Sequence, residues 1–267
     1  MNRMEKALLE LEEMDELADR RSPLHSLHAL SKLFVTTGYI LLVVSFHKYD
    51  LMGLIPMILY PVLLFQIGSI PLCTCFFKLR YVLPLVMAVG LFNPFLDRVP
   101  LLYVGTHPVS GGIVSMLTLM LKGILALMAS FLLMATTPMD ELCAGLRKIH
   151  VPGVLVTLLL LTYRYVGVLT EEASNMTDAY RLRAPGQRGV HVSAWGSFLG
   201  QLLLRSADRA QELYESMQLR GFGGDFRYVG GKAFGWGDVL FLLLSAVSLG
   251  AIRIFPVAKL LGSLLVR

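Results

Sequence analysis

The sequence predicts an all-α polytopic membrane protein with about five transmembrane helices and about three helices on the cytoplasmic side. Three observations carry this. Of 267 residues, 55% are hydrophobic and only 16% are charged, whereas soluble domains hold about a quarter charged residues. The apolar residues gather into runs near the length that crosses a bilayer. The charge falls between those runs, and its balance of +5 suits basic loops facing anionic cytoplasmic lipid. A nucleic-acid surface needs a dense basic stripe. Here arginines alternate with Asp and Glu, so no nucleic-acid partner is expected.

The elements follow in order. Residues 1–21 alternate Glu, Lys and Leu and lack the apolar core of a signal peptide. Leu8, Leu11, Met14 and Leu17 share one face at helical spacing, and Ser22-Pro23 ends that helix. Segment 32–46, extended by 27–31, is the first expected span, and 47–50 is a polar turn. Segment 51–68 is the second. It contains Pro56 and Pro61, tolerated where neighbouring helices or water take up the freed carbonyls. Residues 69–80, with Pro71, Lys78 and Arg80, read as a connector, and 81–96 as the third span, with Asn93-Pro94 near its end. Residues 97–110, with Asp97, Arg98, Pro100, Gly105 and Pro108, read as a loop. Segment 111–136, the longest apolar run, is the fourth span. Thr137-Pro138-Met139-Asp140-Glu141 is a helix start: Thr137 can cap, Pro138 suits the first helical position, and the acids favour the positive dipole end. That helix runs to about Ile149, and Pro152-Gly153 breaks it.

From Val154 onward charge decides the reading. The uncharged run 151–163 is about a dozen residues, short of the roughly twenty that a crossing helix needs. With the N-terminus inside and four spans behind, Arg20, Arg21, Lys78, Arg80, Arg147 and Lys148 lie inside. Only Lys48 and Arg98 lie outside. A crossing at 154–170 would expose Arg181, Arg183, Arg188, Arg205, Arg209, Arg220, Arg227 and Lys232 on the outer side, against the positive-inside rule. Segment 154–183 therefore reads as one long helix in or under the inner interface. Residues 192–220 form another, with Leu199, Leu203, Ala210, Leu213 and Met217 on one face and Arg209, Glu212 and Glu215 on the other. Gly221 suits a left-handed helix end, and Phe222 the hydrophobic residue that follows. Gly223-Gly224 and Gly230-Gly231 form a connector. Asp238 opens a last span, about 239–252, closed by Arg253. Three regions result: 1–136, with four spans; 137–232, a cytoplasmic region; and 233–267, the last span and tail. The expected location is a cell (inner) membrane, multi-pass, with the N-terminus and the long polar helices cytoplasmic.

No catalytic, cofactor or metal residue is assigned. The sequence lacks a G-x-x-x-x-G-K-[ST] loop, an H-x-x-x-H pair and a G-x-S-x-G elbow. Cys73, Cys75 and Cys143 make no disulfide framework, and Cys73-Thr-Cys75 has no partners to complete a metal site. Lys122, deep in the fourth span, is costly there and so a functional candidate. Equally, its stem can snorkel, or its ammonium can pair with a carbonyl or with Asn93. The most informative residues are two arginines, Arg183 and Arg220, each at the end of a long polar helix. A guanidinium is a fixed planar fork of donors that complements the negative helix end. Two such ends suit docking to carboxylate-lined grooves of a partner.

At these residues the chain resembles the transmembrane T subunit of energy-coupling-factor (ECF) transporters, in the CbiQ branch that serves cobalt uptake. The likeness runs through nearly the whole chain. It is carried by Asp15-Glu-Leu-Ala18, Ser22-Pro-Leu-His25, Lys32-Leu33, Phe92-Asn-Pro94, Ala135-Thr-Thr-Pro138, Asp140-Glu-Leu, Gly145-Leu146, Tyr163-Arg164-Tyr165, Glu171-Glu172 and the run from Glu212 to Phe222. There are departures: Arg183-Ala184 stands where the family has Arg-Gly, Leu219 where it has Ala, and His28-Ala-Leu30 where it has Asp-Pro-Arg. The resemblance implies partners: two ABC-type ATPase subunits, which bind ATP and magnesium, and a CbiM-like substrate-binding membrane subunit, with or without a small CbiN-like one. It implies that this chain is not an enzyme. It makes Ala179, Arg183 and Ala184, with Met217, Arg220 and Gly221, the ATPase-coupling residues. Cobalt comes from the branch alone, with nickel the nearest other ion. The alternative is a self-sufficient carrier or membrane-embedded enzyme using Lys122 and Asn93. Against it, the two halves show no paired broken helices.

Overall fold

The computed structural model describes residues 3–20, 22–93, 100–104, 107–186, 190–223, 232 and 234–254. Arg21, Pro94, Asp97, Arg98, Gly105, Arg188, Gly224, Arg227, Gly230 and Gly231, all named above, lie outside these. The chain divides into two compact units, one of residues 17–138 and 232–267, the other of residues 1–16 and 139–231.

In the first unit the helices are α2 (Ala29–Val44), α3 (Leu51–Leu54), α4 (Leu59–Ile67), α5 (Leu72–Leu91), α6 (Gly111–Thr136) and α10 (Trp236–Ile254). A 3-10 turn at Ile55–Ile58 joins α3 to α4. The long helix α6 is the axis, with α2, α3, α4 and α5 all packed on it and α10 on α2. The core gathers Tyr39, Val43, Phe46, Leu54, Met57, Leu125, Ala129 and Leu249. Large apolar side chains fill this core and also cover much of the outer surface. Ser31, Ser115, Thr118, Thr136 and Ser245 are buried, while Phe34, Leu41, Leu63, Leu85, Leu240 and Leu244 face outward. Lipid solvates apolar surface as well as a core does, so small polar residues turn inward and large apolar ones outward.

The prolines of the second span are accommodated by a neighbour. Pro61 has no N–H to give the carbonyl of Met57, four residues back. The hydroxyl of buried Tyr39 donates to that carbonyl at 3.0 Å. Tyr39 also stacks on Tyr60, ring centres 5.1 Å apart, and Tyr60 donates to Ser245 at 3.3 Å. Between α5 and α6 the backbones approach closely: a Cβ placed on Gly123 would lie 2.8 Å from Cγ1 of Val86.

Three expectations change. The connector 69–80 and the third span are one helix, α5, which runs through Lys78, Arg80 and Pro84. Charges mark where a helix leaves hydrocarbon, not where it ends. The loop 97–110 contains an antiparallel hairpin, β1 (Pro100–Val104) and β2 (His107–Ser110), with Tyr103 opposite Pro108. Strand pairing takes up the facing edges of its backbone just before α6 begins.

The third change concerns the second unit. This unit holds α7 (Met139–Lys148), α8 (Gly153–Arg183) and α9 (Trp195–Leu219), with the N-terminal part of α1 (Arg3–Ala18). α8 is one helix of 31 residues, and with α6 and α10 it is one of three helices, among the described residues, long and apolar enough to cross a membrane. The argument that its apolar part is too short to cross therefore fails. Arg164 interrupts the uncharged run but not the apolar stretch, because one long basic stem can be carried along it. Shorter apolar helices occur at Ala29–Val44, Leu51–Ile67 and Val82–Leu91, completing an all-α polytopic membrane architecture.

Candidate functional site

The two arginine ends lie in the second unit. α7 carries Asp140 and Glu141 in its first turn and Arg147 and Lys148 in its last, each sign at the dipole end that favours it. α7 and α9 both pack on α8. α8 is also tied to the N-terminal helix: the Tyr163 hydroxyl donates to the Asp15 carboxylate. Two sequence segments 148 residues apart thus meet in one hydrogen bond.

Arg183 is the last residue of α8. The next residue, Ala184, stays at φ −126°, with its N–H on the carbonyl of Tyr180. The left-handed residue comes later, at Gly186, φ +97°. Ala184 therefore needs none of the freedom of glycine. α9 ends differently. Gly221 is left-handed at φ +79°. Its N–H reaches Gln218 O at 2.9 Å, and Phe222 N–H reaches Met217 O at 3.0 Å. This is the paired Schellman closure, and Met217 and Phe222 make the apolar contact that goes with it. The closure fixes Arg220 in the capping position. Arg183 and Arg220 are exposed, and among the described residues neither guanidinium has a hydrogen-bond or ion-pair partner. The apolar residue before each is also bare: Leu182 is 85% exposed and Leu219 91%. Each end thus offers a cation beside an uncovered apolar side chain. Ala179, one turn before Arg183, is exposed as well, whereas Met217 is partly covered.

α9 runs back along α8. Arg205 pairs with Glu172, and beyond that pair Leu161 and Tyr165 face Leu213, Met217 and Phe222 across an apolar groove of about 430 Å³. Arg183 lies 11 residues past Glu172, and Arg220 15 past Arg205. At about 1.5 Å per residue these are roughly 16 Å and roughly 22 Å in opposite directions. The two tips are therefore separate sites. Ala210, Leu213 and Met217 line the groove, but Leu199 and Leu203, expected on the same face, are exposed. No residue of α9 is buried.

Lys122 and Asn93 lie in the first unit and are not brought together. Lys122 Nζ donates to the carbonyls of Val44, at 3.0 Å, and Phe46, completing the C-terminal end of α2, where a cation is favoured. Asn93 donates to Ser115 at 3.2 Å. Cys75 and Cys143 are buried free thiols. Burial and the nearby Asp140 push the Cys143 thiol up from its ordinary value. Among the described residues no three His, Cys, Asp or Glu side chains converge.

Sequence reasoning missed a polar cluster in the first unit, because no motif links His25 to the distant groups it meets. The His25 ring is buried. Its Nε2 faces two carbonyls, Leu17 at 3.0 Å and Ala135 at 3.2 Å, so Nε2 carries the proton. Its Nδ1 takes the Ser22 hydroxyl at 2.6 Å. Burial lowers the pKa of His25, as do the Lys32 and Lys232 charges, against the raising effect of the two carbonyls. Buried Lys32 donates to Thr136 O at 2.7 Å and to His25 O at 3.4 Å, and Lys232 donates to His25 O at 2.7 Å. Asp238 caps two helices at once. Oδ1 accepts from His28 N at 2.7 Å and Ser31 Oγ at 2.8 Å at the start of α2, and Oδ2 accepts from Gly235 N at 2.9 Å at the start of α10.

The apolar outer surface and the row of apolar helices define a polytopic helical membrane protein. The family model of the cobalt transport protein CbiQ matches residues 20–228, so the chain belongs to the cobalt transport protein family. It is 37% identical over 116 residues to cobalt transport protein CbiQ of Rhodobacter capsulatus, covering 42% of this chain and 47% of that one. It is 33% identical over 107 residues to nickel permease LarQ of Lactiplantibacillus plantarum, covering 40% and 39%. It is 28% identical over 111 residues to CbiQ of Salmonella typhimurium, covering 39% and 47%. The chain thus spans less than half the length of each of these relatives.

Proposed function

We propose that this chain is the transmembrane coupling (T) subunit of an ATP-driven importer of the ECF type, carrying cobalt or nickel ions. It passes the motion of two partner ATPases to a CbiM-like substrate-binding membrane subunit. The observation that carries this reading is the pair of long helices, α8 and α9, ending in exposed Arg183 and Arg220 with no partner among the described residues. A guanidinium beside a bare leucine fits a groove with carboxylates at its mouth and an apolar floor. Ala179 and Ala184 flank the first tip, and Met217 and Gly221 the second. The separation of the tips along an antiparallel pair suits two ATPases, one groove each. In this reading α8 lies at the inner interface, because a crossing would put the basic residues that follow it outside. The N-terminus and both tips are cytoplasmic, and the location is the cell inner membrane. The chain itself is non-catalytic, with ATP and magnesium held by the ATPases.

The test is Arg183→Glu combined with Arg220→Glu in the co-expressed complex. Each substitution removes charge-assisted contacts and opposes carboxylates with a carboxylate. The doubly substituted chain is expected to insert normally, to capture at least about tenfold less ATPase in detergent pull-downs, and to support no uptake. Capture at the wild-type level overturns the docking claim.

A further inference from the structure

The chain passes between its two units three times, at residues 16/17, 138/139 and 231/232. Next to each passage, inside the first unit, a group is held by the short segment that contains His25. At the first passage the Leu17 carbonyl accepts from His25 Nε2. At the second the Ala135 carbonyl accepts from the same Nε2 and the Thr136 carbonyl accepts from Lys32 Nζ. At the third the Lys232 ammonium donates to the His25 carbonyl. Six residues past that passage, Asp238 pins the starts of α2 and α10 together. We infer that His25 and Lys32 are positioning residues of the coupling step, joining all three passages in one buried knot.

The physical reason is local. α6 ends at Thr136, and the last carbonyls of a helix have no partners within it. Pro138 has no N–H for the tighter terminal bond to the Ala135 carbonyl, three residues back. Donors have to come from elsewhere, and this sequence brings them from His25, between α1 and α2, and from Lys32, in the first turn of α2. A buried ammonium at the negative end of α6 is stabilised by the helix dipole, and buried carbonyls left without donors are costly. These groups therefore hold one another in place. A shift of any one passage is carried to the other two through one histidine and two ammonium groups, those of Lys32 and Lys232, rather than being lost in slack loops. On the T-subunit reading, on which this inference rests, that stiffness makes movement of the second unit count as movement of the first. Loosening the knot lets ATP be hydrolysed without import.

The test has two arms. The first uses the purified full chain in nanodiscs and follows amide hydrogen exchange. His25→Phe keeps ring shape but removes the donor; His25→Gln keeps a side-chain N–H near the Nε2 position. In the Phe variant, exchange in residues 17–20, 135–139 and 232–238 is expected to rise together, about tenfold or more, and the Gln variant is expected to keep most of the protection. A change confined to residues 22–30 overturns the knot. Should the Phe variant fail to accumulate, Lys232→Met decides: exchange must rise at 17–20 and 135–139, far from the substitution in sequence, and no rise there overturns the knot. The second arm measures ions imported per ATP hydrolysed by the assembled complex. The Phe variant is expected to fall about tenfold or more in that ratio while still binding the ATPases, and Gln to restore it. An unchanged ratio alongside altered exchange overturns the positioning role and leaves a structural knot. If the wild-type chain neither captures ATPases nor gives ATP-driven uptake, the T-subunit reading itself is wrong, and the exchange arm still decides the knot.

Discussion

His25 gives the residue scale its clearest consequence. Its ring is buried against two carbonyls with the ammonium groups of Lys32 and Lys232 nearby, and burial is the largest of the effects that hold its pKa below the ordinary 6.5. The folded chain therefore binds a proton less readily than the unfolded chain. Stability is intact above about pH 6.5 and declines as pH falls through that value toward the lower folded one, because the unfolded state takes up the proton first. Unfolding in detergent followed at several pH values should show this acid loss in the wild type and not in His25→Gln. If both lose stability equally between pH 7 and pH 5, His25 is not the group responsible. Lys122 shows how one residue type can serve two ends. Sequence left it between a functional cation and a partner for a carbonyl or for Asn93. Its contacts with Val44 and Phe46 make it the end of a helix, while Arg253 covers the Phe46 ring at 4.1 Å.

At the scale of elements the informative features are places where a helix departs from regularity. Pro61 frees a carbonyl, and Tyr39 takes it. Pro84 lies inside α5 without ending it. Gly123 lets α6 approach Val86 on α5. Adding a branched side chain at Gly123 forces the helices apart or moves Val86, whose stiff β-branch cannot swing away. We expect Gly123→Val to cost about 1–3 kcal/mol, the usual range for overpacking, read as earlier unfolding in a denaturing detergent titration. Stability at or above wild type would mean that α5 and α6 slide without loss. The hairpin ahead of α6 has a pattern too short and too rich in proline for alternation to reveal it, since Pro100 and Pro108 both lie in paired strands.

At the scale of the molecule the decisive question is which side of the membrane the arginine tips occupy. The cytoplasmic placement rests on the distribution of basic residues. Single cysteines at Leu182 and Leu219, in a chain whose native cysteines are replaced by serine, should react with a membrane-impermeant maleimide only from the cytoplasmic side. Labelling of either from outside would place α8 across the bilayer and end the coupling proposal.

The apolar runs and the turn residues between them determined the class by themselves. Every backbone group in hydrocarbon must be bonded within a helix or a closed barrel, and long unbroken apolar runs select the helix over alternating strands. The end of α9 was legible for the same kind of local reason: Gly221 and Phe222 fit a closure whose geometry depends only on neighbours. Helix limits near charge were not legible. Lys78 and Arg80 look like a break, yet α5 passes through them, and Arg164 looks like the end of an apolar stretch that continues beyond it. The cluster around His25 was invisible in sequence for a different reason. Its donors and acceptors lie as far as 210 residues apart, and nothing short of tertiary packing states that a histidine near residue 25, a carbonyl at 135 and a lysine at 232 share one enclosed space. Local chemistry is written in the order of residues; which orphaned polar group meets which distant donor is settled only when the helices close on one another.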